Sequence, residues 1–468
     1  MSQPYERANG VWGPDRRQLT VGVVLAVSLV GFEALAVVTI AGVITDELGG
    51  RSAYGWLFSG FFLASILGTV ASGQQSDRHG PKRCLSVGLP MFALGLAASG
   101  LAPSMAWLLV GRALQGFGAG VVLTALYVAV NLAYYDGVRS RMYALMASAW
   151  VAPALVGPLL AGYVATAASW RWVFLGLVPL VALVALTVLP SLTSRERRPP
   201  SGENRLPAAT RLVVGTGLLL ASLSQAFALL SVALAFLGLG VAFTGLKPLL
   251  PAGTLILARG LPAAIFVHGL VFAAFSLVEA YLALALTNVL GASPVVAGAV
   301  IALAALSWTG GSWLQDTFDD TDPRKRQSRS LLGGALLVVG VGLQMAALYV
   351  PAYALAVALV GWMTAGLGIG LAHTATLALI QSYTPEGEEG KTSAAMYLFE
   401  QLAFAVSAGV GGALLALAPE LQVGEREGLL FVLTLGMILA AVAFAASRRL
   451  TVRGVMASHH VRSKLHQN

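Results

Sequence analysis

The chain has 468 residues, 57% of them hydrophobic and only 11% charged, with a mean hydropathy of +0.79. Water-soluble domains carry about 25% charged residues, so an ordinary soluble protein is excluded and a polytopic membrane protein remains. The net charge of +8 would suit nucleic acid only if the bases formed a stripe, but they fall in short loops between apolar runs, which is a topological pattern.

The predicted elements begin after a short polar stretch carrying Glu6, Arg7, Asp15, Arg16 and Arg17. The apolar run 19–44 is too long for a signal-peptide core and lacks a small-residue cleavage signal, so it reads as a retained helix. Runs 53–73, 84–101, 105–132, 142–166 and 170–190 each approach the length that spans a bilayer. Together they make a first bundle of six helices over residues 1–194. A charged, proline-rich linker follows at 194–211. Residues 212–246 form an apolar stretch with no place in a six-plus-six plan, and 247–259, with Pro248 and Pro251, reads as an interfacial connector. Residues 195–261 are thus an insert, and a second six-helix bundle occupies 262–468, with runs 261–288, 294–313, 331–349, 353–382, 392–418 and 428–447. Cys84 is the only cysteine, so an intrachain disulfide is excluded.

The two bundles are copies. Leu109-Val-Gly-Arg-Ala-Leu-Gln-Gly-Phe-Gly-Ala-Gly120 aligns without a gap on Leu359-Val-Gly-Trp-Met-Thr-Ala-Gly-Leu-Gly-Ile-Gly370, an offset of 250 residues. The same register pairs Thr124 with Thr374, Asp136-Gly137 with Glu386-Gly387, Arg141 with Lys391, Met146 with Met396 and Gly162 with Gly412. Duplication within a membrane chain is the usual build of secondary transporters, with substrate held between the copies. Copies related by rotation about the membrane normal enter from the same side, so an even number of crossings separates them. A hairpin at 212–246, turning near residues 222–225, meets that condition and gives fourteen helices. With the N-terminus cytoplasmic, 25 of the 29 Lys and Arg fall in cytoplasmic segments; Arg51, Arg171 and Arg426 lie outside and Arg112 lies within a helix.

Gly73-Gln-Gln-Ser-Asp-Arg-His-Gly-Pro-Lys-Arg83 follows the second helix. Gly73 permits close helix approach, Gly80 a tight turn, and Asp77 can accept bonds from a neighbouring helix N-terminus. The loop resembles the signature of the major facilitator superfamily, Gly-x-x-x-Asp-Arg-x-Gly-x-Lys/Arg-Lys/Arg. That resemblance implies that Gly73, Asp77, Arg78, Gly80 and Arg83 latch an inward-closed conformation. The second-half equivalent, near Gly311 and Asp316, has lost most of the pattern. Arg112-Ala-Leu-Gln-Gly-Phe-Gly-Ala-Gly120 resembles the family's fourth-helix motif, in which the arginine supports proton transfer by changing partners; snorkelling to the interface is the other reading of Arg112. The repeat has Trp362 there. Trp150-Val-Ala-Pro-Ala-Leu-Val-Gly-Pro-Leu-Leu-Ala-Gly162 resembles the fifth-helix motif of the exporter branches, with Gly157, Pro158 and Gly162 allowing a bend and close packing. Trp170-Arg-Trp-Val-Phe174 resembles the antiporter branches and reads as an interfacial aromatic anchor.

Three acids fall mid-helix: Glu33, Glu279 at an offset of 246, and Glu400. Around Glu33 the run Phe32-Glu-Ala-Leu-Ala-Val-Val-Thr-Ile-Ala resembles the fourteen-helix drug:proton antiporters. Desolvation disfavours a charged carboxylate, so such a group can take a proton or a cationic substrate, but less readily both. That competition is the physical basis of antiport. His268 stands three turns before Glu279 and could relay protons to it; His373 shares a stripe with Trp362. Phe32, Trp150, Tyr281, Trp362 and Phe399 are candidates for lining an apolar pocket.

The expected protein is therefore an all-α polytopic transporter of the major facilitator fold. It would export lipophilic or cationic molecules against protons, between the first, fourth and fifth helices of each half. The resemblance implies no cofactor, the proton gradient being the energy source, and no nucleic-acid partner. It implies a monomer in contact with lipid in the plasma membrane, both termini cytoplasmic. A lipid or amphiphile exporter is the first rival. A nutrient importer would need a pocket rich in Asn and Gln, and a membrane enzyme would need a metal or nucleophile cluster, for which no local spacing is present.

Overall fold

The computed structural model describes residues 10–134, 136–192, 204–223, 227–319, 322–385 and 388–451. Glu6, Arg7, most of the linker, part of the expected 222–225 turn and the pair Glu386-Gly387 lie outside the described residues.

Every long element is helical, as lipid demands, since backbone groups there must be satisfied within their own segment. The helices are α1 (Arg17–Leu48), α2 (Trp56–His79), α3 (Pro81–Gly100), α4 (Met105–Ala133), α5 (Asp136–Ser148), α6 (Val151–Ala167), α7 (Arg171–Leu175) and α8 (Val178–Val188). They continue with α9 (Leu206–Ser222), α10 (Ala228–Leu246), α11 (Leu261–Leu284), α12 (Pro294–Thr317), α13 (Pro323–Ala347), α14 (Ala354–Tyr383), α15 (Glu389–Glu420) and α16 (Glu425–Ala446). Proline opens α3, α12 and α13 at a position where its missing N–H costs nothing. The side chains of Ser104, Ser293 and Asp322 cap α4, α12 and α13.

Among the described residues twelve helices, counting Arg171–Val188 as one, are long and apolar enough to cross a membrane. Val151–Ala167 and Leu206–Ser222 are apolar but have only 17 residues each. The expected single helix over 142–166 is broken at Ala149 and Trp150. Pro153 has no N–H to return to the carbonyl of Ala149, and that carbonyl instead accepts the Ser28 hydroxyl at 2.9 Å.

The duplication is visible in backbone contact. A Cβ on Gly116 of α4 would lie 2.0 Å from the Phe61 carbonyl oxygen of α2, and one on Gly366 of α14 would lie 2.5 Å from that of Ala304 in α12. A Cβ on Gly120 would meet the Ser65 carbonyl, and one on Gly370 that of Trp308, both at 2.3 Å. Gly95 of α3 meets Gln115 as Gly340 of α13 meets Ala365. Small residues recur because these helices touch backbone to backbone, the common device of membrane bundles. In each half one helix (α4, α14) packs between two neighbours (α2 and α3, α12 and α13), while α1 packs on α6 and α8 as α11 packs on α15 and α16.

The halves meet along a seam with the same pseudo-symmetry. Gly298 of α12 lies against the Pro158 carbonyl of α6 and Gly162 against that of Pro294; correspondingly Gly55 lies against the Ala408 carbonyl of α15, and Gly412 against Gly55. Tyr54 donates to the Ala280 carbonyl and Tyr281 to that of Ala408, both at 2.7 Å. The seam therefore closes toward the end of the bundle where α1 stops and α2 starts. At the opposite end, carrying Gly80, the rings of Tyr127 and Tyr397 face each other across the halves with centroids 6.5 Å apart.

Helices α9 and α10 run antiparallel, Gly245 against Leu212, Gly215 against Ala242 and Gly238 against Leu219. Leu212 and Leu220 of α9 join Leu63 and Ile66 of α2 and Leu402 of α15 in one apolar cluster beside the seam. On α10, Leu229 and Phe236 stand 85% and 75% exposed, an apolar face suited to lipid and not to water.

Candidate functional site

The first-half site is built where α1 passes α4 and α2. Close approach of Gly111 to Ser99 and of Gly116 to Phe61 brings α4 against its neighbours, so Arg112 has no path to water and is 1% exposed. It does not snorkel. Its Nη1 pairs with Glu33 Oε1 and donates to Gln115 Oε1 at 2.8 Å, its Nε donates to the Leu57 carbonyl at 3.0 Å, and its carbon lies 4.5 Å over the Phe61 ring. A desolvated guanidinium is tolerable only with such a full set of partners. The second carboxylate oxygen of Glu33 is buried without a partner among the described residues, so the acid keeps capacity for a proton or another donor.

The second half carries different chemistry at the same positions. Trp362 replaces Arg112 and stacks on Phe275, with centroids 4.4 Å apart at 16°. Glu279, the counterpart of Glu33, is half-buried and pairs with none of the described residues. The relay expected from His268 to Glu279 is not formed. Eleven residues of helix separate the two by roughly 16 Å along the axis, and His268 looks across to other helices. Its Nδ1 lies 3.0 Å from Thr376 Oγ1 on α14, and its Nε2 lies 3.5 Å from Glu400 Oε2 on α15. His373 stacks on His268 with centroids 3.9 Å apart and puts its Nε2 3.8 Å from Glu400 Oε1.

The signature loop is open. Gly80 takes φ +79° between α2 and α3, as the tight turn requires. Gly73, expected to allow close helix approach, has nothing within 4 Å of a Cβ. Asp77 is exposed and accepts no bond from the described residues, and neither Arg78 nor Arg83 forms an ion pair with them. In the second half, Gly311 packs on the Leu367 carbonyl, which makes it the counterpart of Gly68. The charged group there is Asp319, held by Arg326 at 2.5 and 2.9 Å and by Arg329 at 3.4 Å. Sequence reasoning missed it because it aligned Gly73 and Asp77 with Gly311 and Asp316, an offset of 238–239 that the packing does not keep. The offset is 250 between α4 and α14 but 243 between α2 and α12, as Phe61 and Ala304 show, because the loops differ in length.

Gly157 packs on Phe32, whose ring a Cβ would meet at 3.5 Å, while Pro158 and Gly162 belong to the seam. Trp170 is buried and donates to Glu47, which also pairs with Arg171; Trp172 is the exposed ring of that motif. Of the other aromatic candidates, Trp150 packs on Gly31 with 38% of its surface exposed, whereas Tyr281, Trp362 and Phe399 are buried among protein partners.

Residues 21–408 match the family model described as Major Facilitator Superfamily. A Mycobacterium tuberculosis protein described as a probable multidrug-efflux transporter is 25% identical over 87% of this chain and 88% of its own. Multidrug resistance protein 3 of Bacillus subtilis is 29% identical over 35% of this chain and 32% of its own. Among solved structures, a POT family transporter superposes with a TM-score of 0.66 at 13% identity, covering 95% of this chain and 98% of that one, which speaks to fold alone.

Proposed function

The chain belongs to the Major Facilitator Superfamily of transporters, and from that premise we propose that it exports lipophilic or cationic small molecules in exchange for protons, by alternating access. The observation that carries this reading is the buried Glu33–Arg112 pair. A carboxylate with one oxygen on Arg112 and the other without a partner can be protonated in place, and neutralising it loosens the pair and leaves the guanidinium on the Gln115 and Leu57 acceptors it already holds. A cationic cargo competes with the same proton, so the two alternate.

Export as the direction is favoured by the names of the relatives and by the exporter-type motif, whose Gly157 packs on Phe32 while Pro158 and Gly162 lie against the second half. We read the shorter apolar helices as crossings too, since a 17-residue helix is still close to bilayer thickness. This gives fourteen crossings, two six-helix bundles at 1–194 and 262–468 around the α9–α10 insert, and both termini on the cytoplasmic side. In that orientation the closed seam is extracellular and the unpaired signature loop is cytoplasmic, the arrangement of a carrier whose latch is released while the Tyr127 and Tyr397 rings still face each other across the halves on that side. Uptake into vesicles enclosing a pH-sensitive dye, with lipophilic cations as cargo, tests the reading: wild type should move protons when cargo is added, and Glu33→Gln should not. Unchanged flux in Glu33→Gln removes the carboxylate from the mechanism.

A further inference from the structure

The triad of His268, His373 and Glu400 has no equivalent in the first half. The duplication puts Gly22, Leu123 and Trp150 at the matching positions, so the three groups are an addition to the shared scaffold. They come from three helices, α11, α14 and α15, and their ligand atoms all lie within 4.8 Å of one another.

The hydrogen-bond pattern fixes which atoms face inward. The Thr376 hydroxyl donates to the carbonyl of Ala372 at 2.8 Å or of His373 at 2.9 Å. Having given its proton away, it accepts from His268 Nδ1, which leaves His268 Nε2 as a lone pair. That lone pair is buried, faces Glu400 Oε2 and has no hydrogen-bond partner among the described residues; His373 Nε2, nearest to Glu400 Oε1, and Glu400 Oε2 likewise lack a hydrogen-bond partner among them. With His373 protonated on Nδ1, three acceptors face one another within 4.8 Å in an apolar setting, with the Trp308 ring edge-on to His373 at 5.8 Å and Phe272 at 6.1 Å. Converging lone pairs repel unless a cation lies between them. Protons alone satisfy the cluster only if His268 is doubly protonated and His373 carries its hydrogen on Nε2. A single metal ion satisfies all three.

We propose that the second half holds a divalent first-row transition ion of the Zn2+ class, bound by His268 Nε2, His373 Nε2 and a Glu400 oxygen. Two imidazoles and one carboxylate are a donor set of that class, and the fourth position stays open. Metal–ligand bonds of about 2.0–2.2 Å set neighbouring ligand atoms a little over 3 Å apart; from the observed 3.5 and 3.8 Å to Glu400, within a cluster spanning up to 4.8 Å, binding requires the side chains to draw together and the two imidazoles to turn out of their stack. Thr376 serves as a positioning residue, holding His268 in the ligating tautomer. The open side lies toward His373 and Glu400, the more exposed members, so the fourth position can take a donor atom from a cargo molecule.

The experiment uses full-length protein purified without a polyhistidine tag, stripped with chelator and titrated with Zn2+ against a chromophoric chelator, then with Co2+ for its visible absorption. One tight equivalent per chain is expected, with a tetrahedral Co2+ spectrum. Glu400→Gln and His373→Gln should each weaken that equivalent at least tenfold, and Thr376→Val about tenfold, with cooperative thermal unfolding retained. Substituting His459 and His460 by alanine should leave it unchanged. Absence of a tight equivalent in wild type, or one that survives Glu400→Gln and His373→Gln but disappears with His459→Ala and His460→Ala, overturns the site. These readouts do not involve transport, so they stand or fall independently of proton coupling.

Discussion

At the depth of Arg112 the first half holds an ion pair, and at the same depth the second half holds an aromatic stack. The backbone around the two is alike: Gly95 and Gly340, Gly116 and Gly366, Gly120 and Gly370 bring their helices to backbone contact in the same way. Only the side chains differ, with Arg112 and Gln115 on one side against Trp362 and Ala365 on the other. Small residues that set helix distance resist change, because a Cβ there meets a neighbouring backbone atom at 2.0–2.6 Å. Residues that fill the space so defined can be exchanged as sets. A guanidinium in the membrane is tolerated only where a whole set supplies its partners, which confines the arginine–glutamate pair to the first half.

The largest effect should come from breaking that set at one member. Arg112→Met leaves Glu33 buried beside an apolar chain, and loss of one partner of a buried pair costs about 3–5 kcal/mol. Unfolding in detergent should show it. The double variant Glu33→Leu/Arg112→Met, which imitates the apolar second half, should recover most of the loss while remaining inactive in transport. If the double variant is no more stable than Arg112→Met, the ion pair is not what distinguishes the halves.

The seam allows a test of the likeness instead. Gly55→Val and Gly298→Val each push a side chain into a carbonyl across the seam, at 2.4 Å from the Cβ in both cases. Overpacking of this kind costs about 1–3 kcal/mol, here charged against the closed state alone. Both variants should speed thiol labelling of a cysteine placed at Ser59, which is buried and donates to the Ala405 carbonyl. Similar acceleration in the two confirms that closure is pseudo-symmetric. A response in one only would mean that α6 with α12 and α15 with α2 close separately.

A smaller effect is expected at the loop acids. Asp319 is held by Arg326 and Arg329, so Asp319→Asn should cost about 1.5–3 kcal/mol, the range for hydrogen bonds to charged groups, and less at high salt. Asp77 has no such partners in this conformation, and Asp77→Asn should stay within about 0.5 kcal/mol. A matching loss at Asp77, measured by the same unfolding assay, would show that its loop is engaged in the resting protein.

The sequence carried the fold well where spacing was rigid. The repeat from Leu109 to Gly120 is gapless because both copies run through one uninterrupted helix, and the glycines in it mark real backbone contacts. It was less legible across loops, where the offset differs from helix pair to helix pair, and pairing Gly73 with Gly311 pointed to Asp316 instead of Asp319. Glu33 and Arg112 were each recognisable as buried charges, though their pairing required knowing that α1 crosses α4. The His268–His373–Glu400 cluster had no local spacing to announce it, since each member comes from a different helix. Tyr281 looked like a pocket residue by composition, and only the seam explains why its hydroxyl is bonded to Ala408.

The smallest effect is expected at Glu279, where the comparison between halves is sharpest. Glu33 and Glu279 are related by the duplication, yet one is paired with a guanidinium and the other meets only desolvation among the described residues. Replacing a half-buried carboxyl that has no partner by an amide of the same shape removes no ion pair and no hydrogen bond. Glu279→Gln should therefore change unfolding by no more than about 0.5 kcal/mol, whereas Glu33→Gln forfeits the charge on which Arg112 depends. In vesicles, Glu279→Gln should retain cargo-driven proton movement with at most a few-fold change. Abolition of that movement at Glu279 with its preservation in Glu33→Gln would place the exchanging proton in the half that lacks the arginine, and the ion pair would then be scaffold rather than machinery.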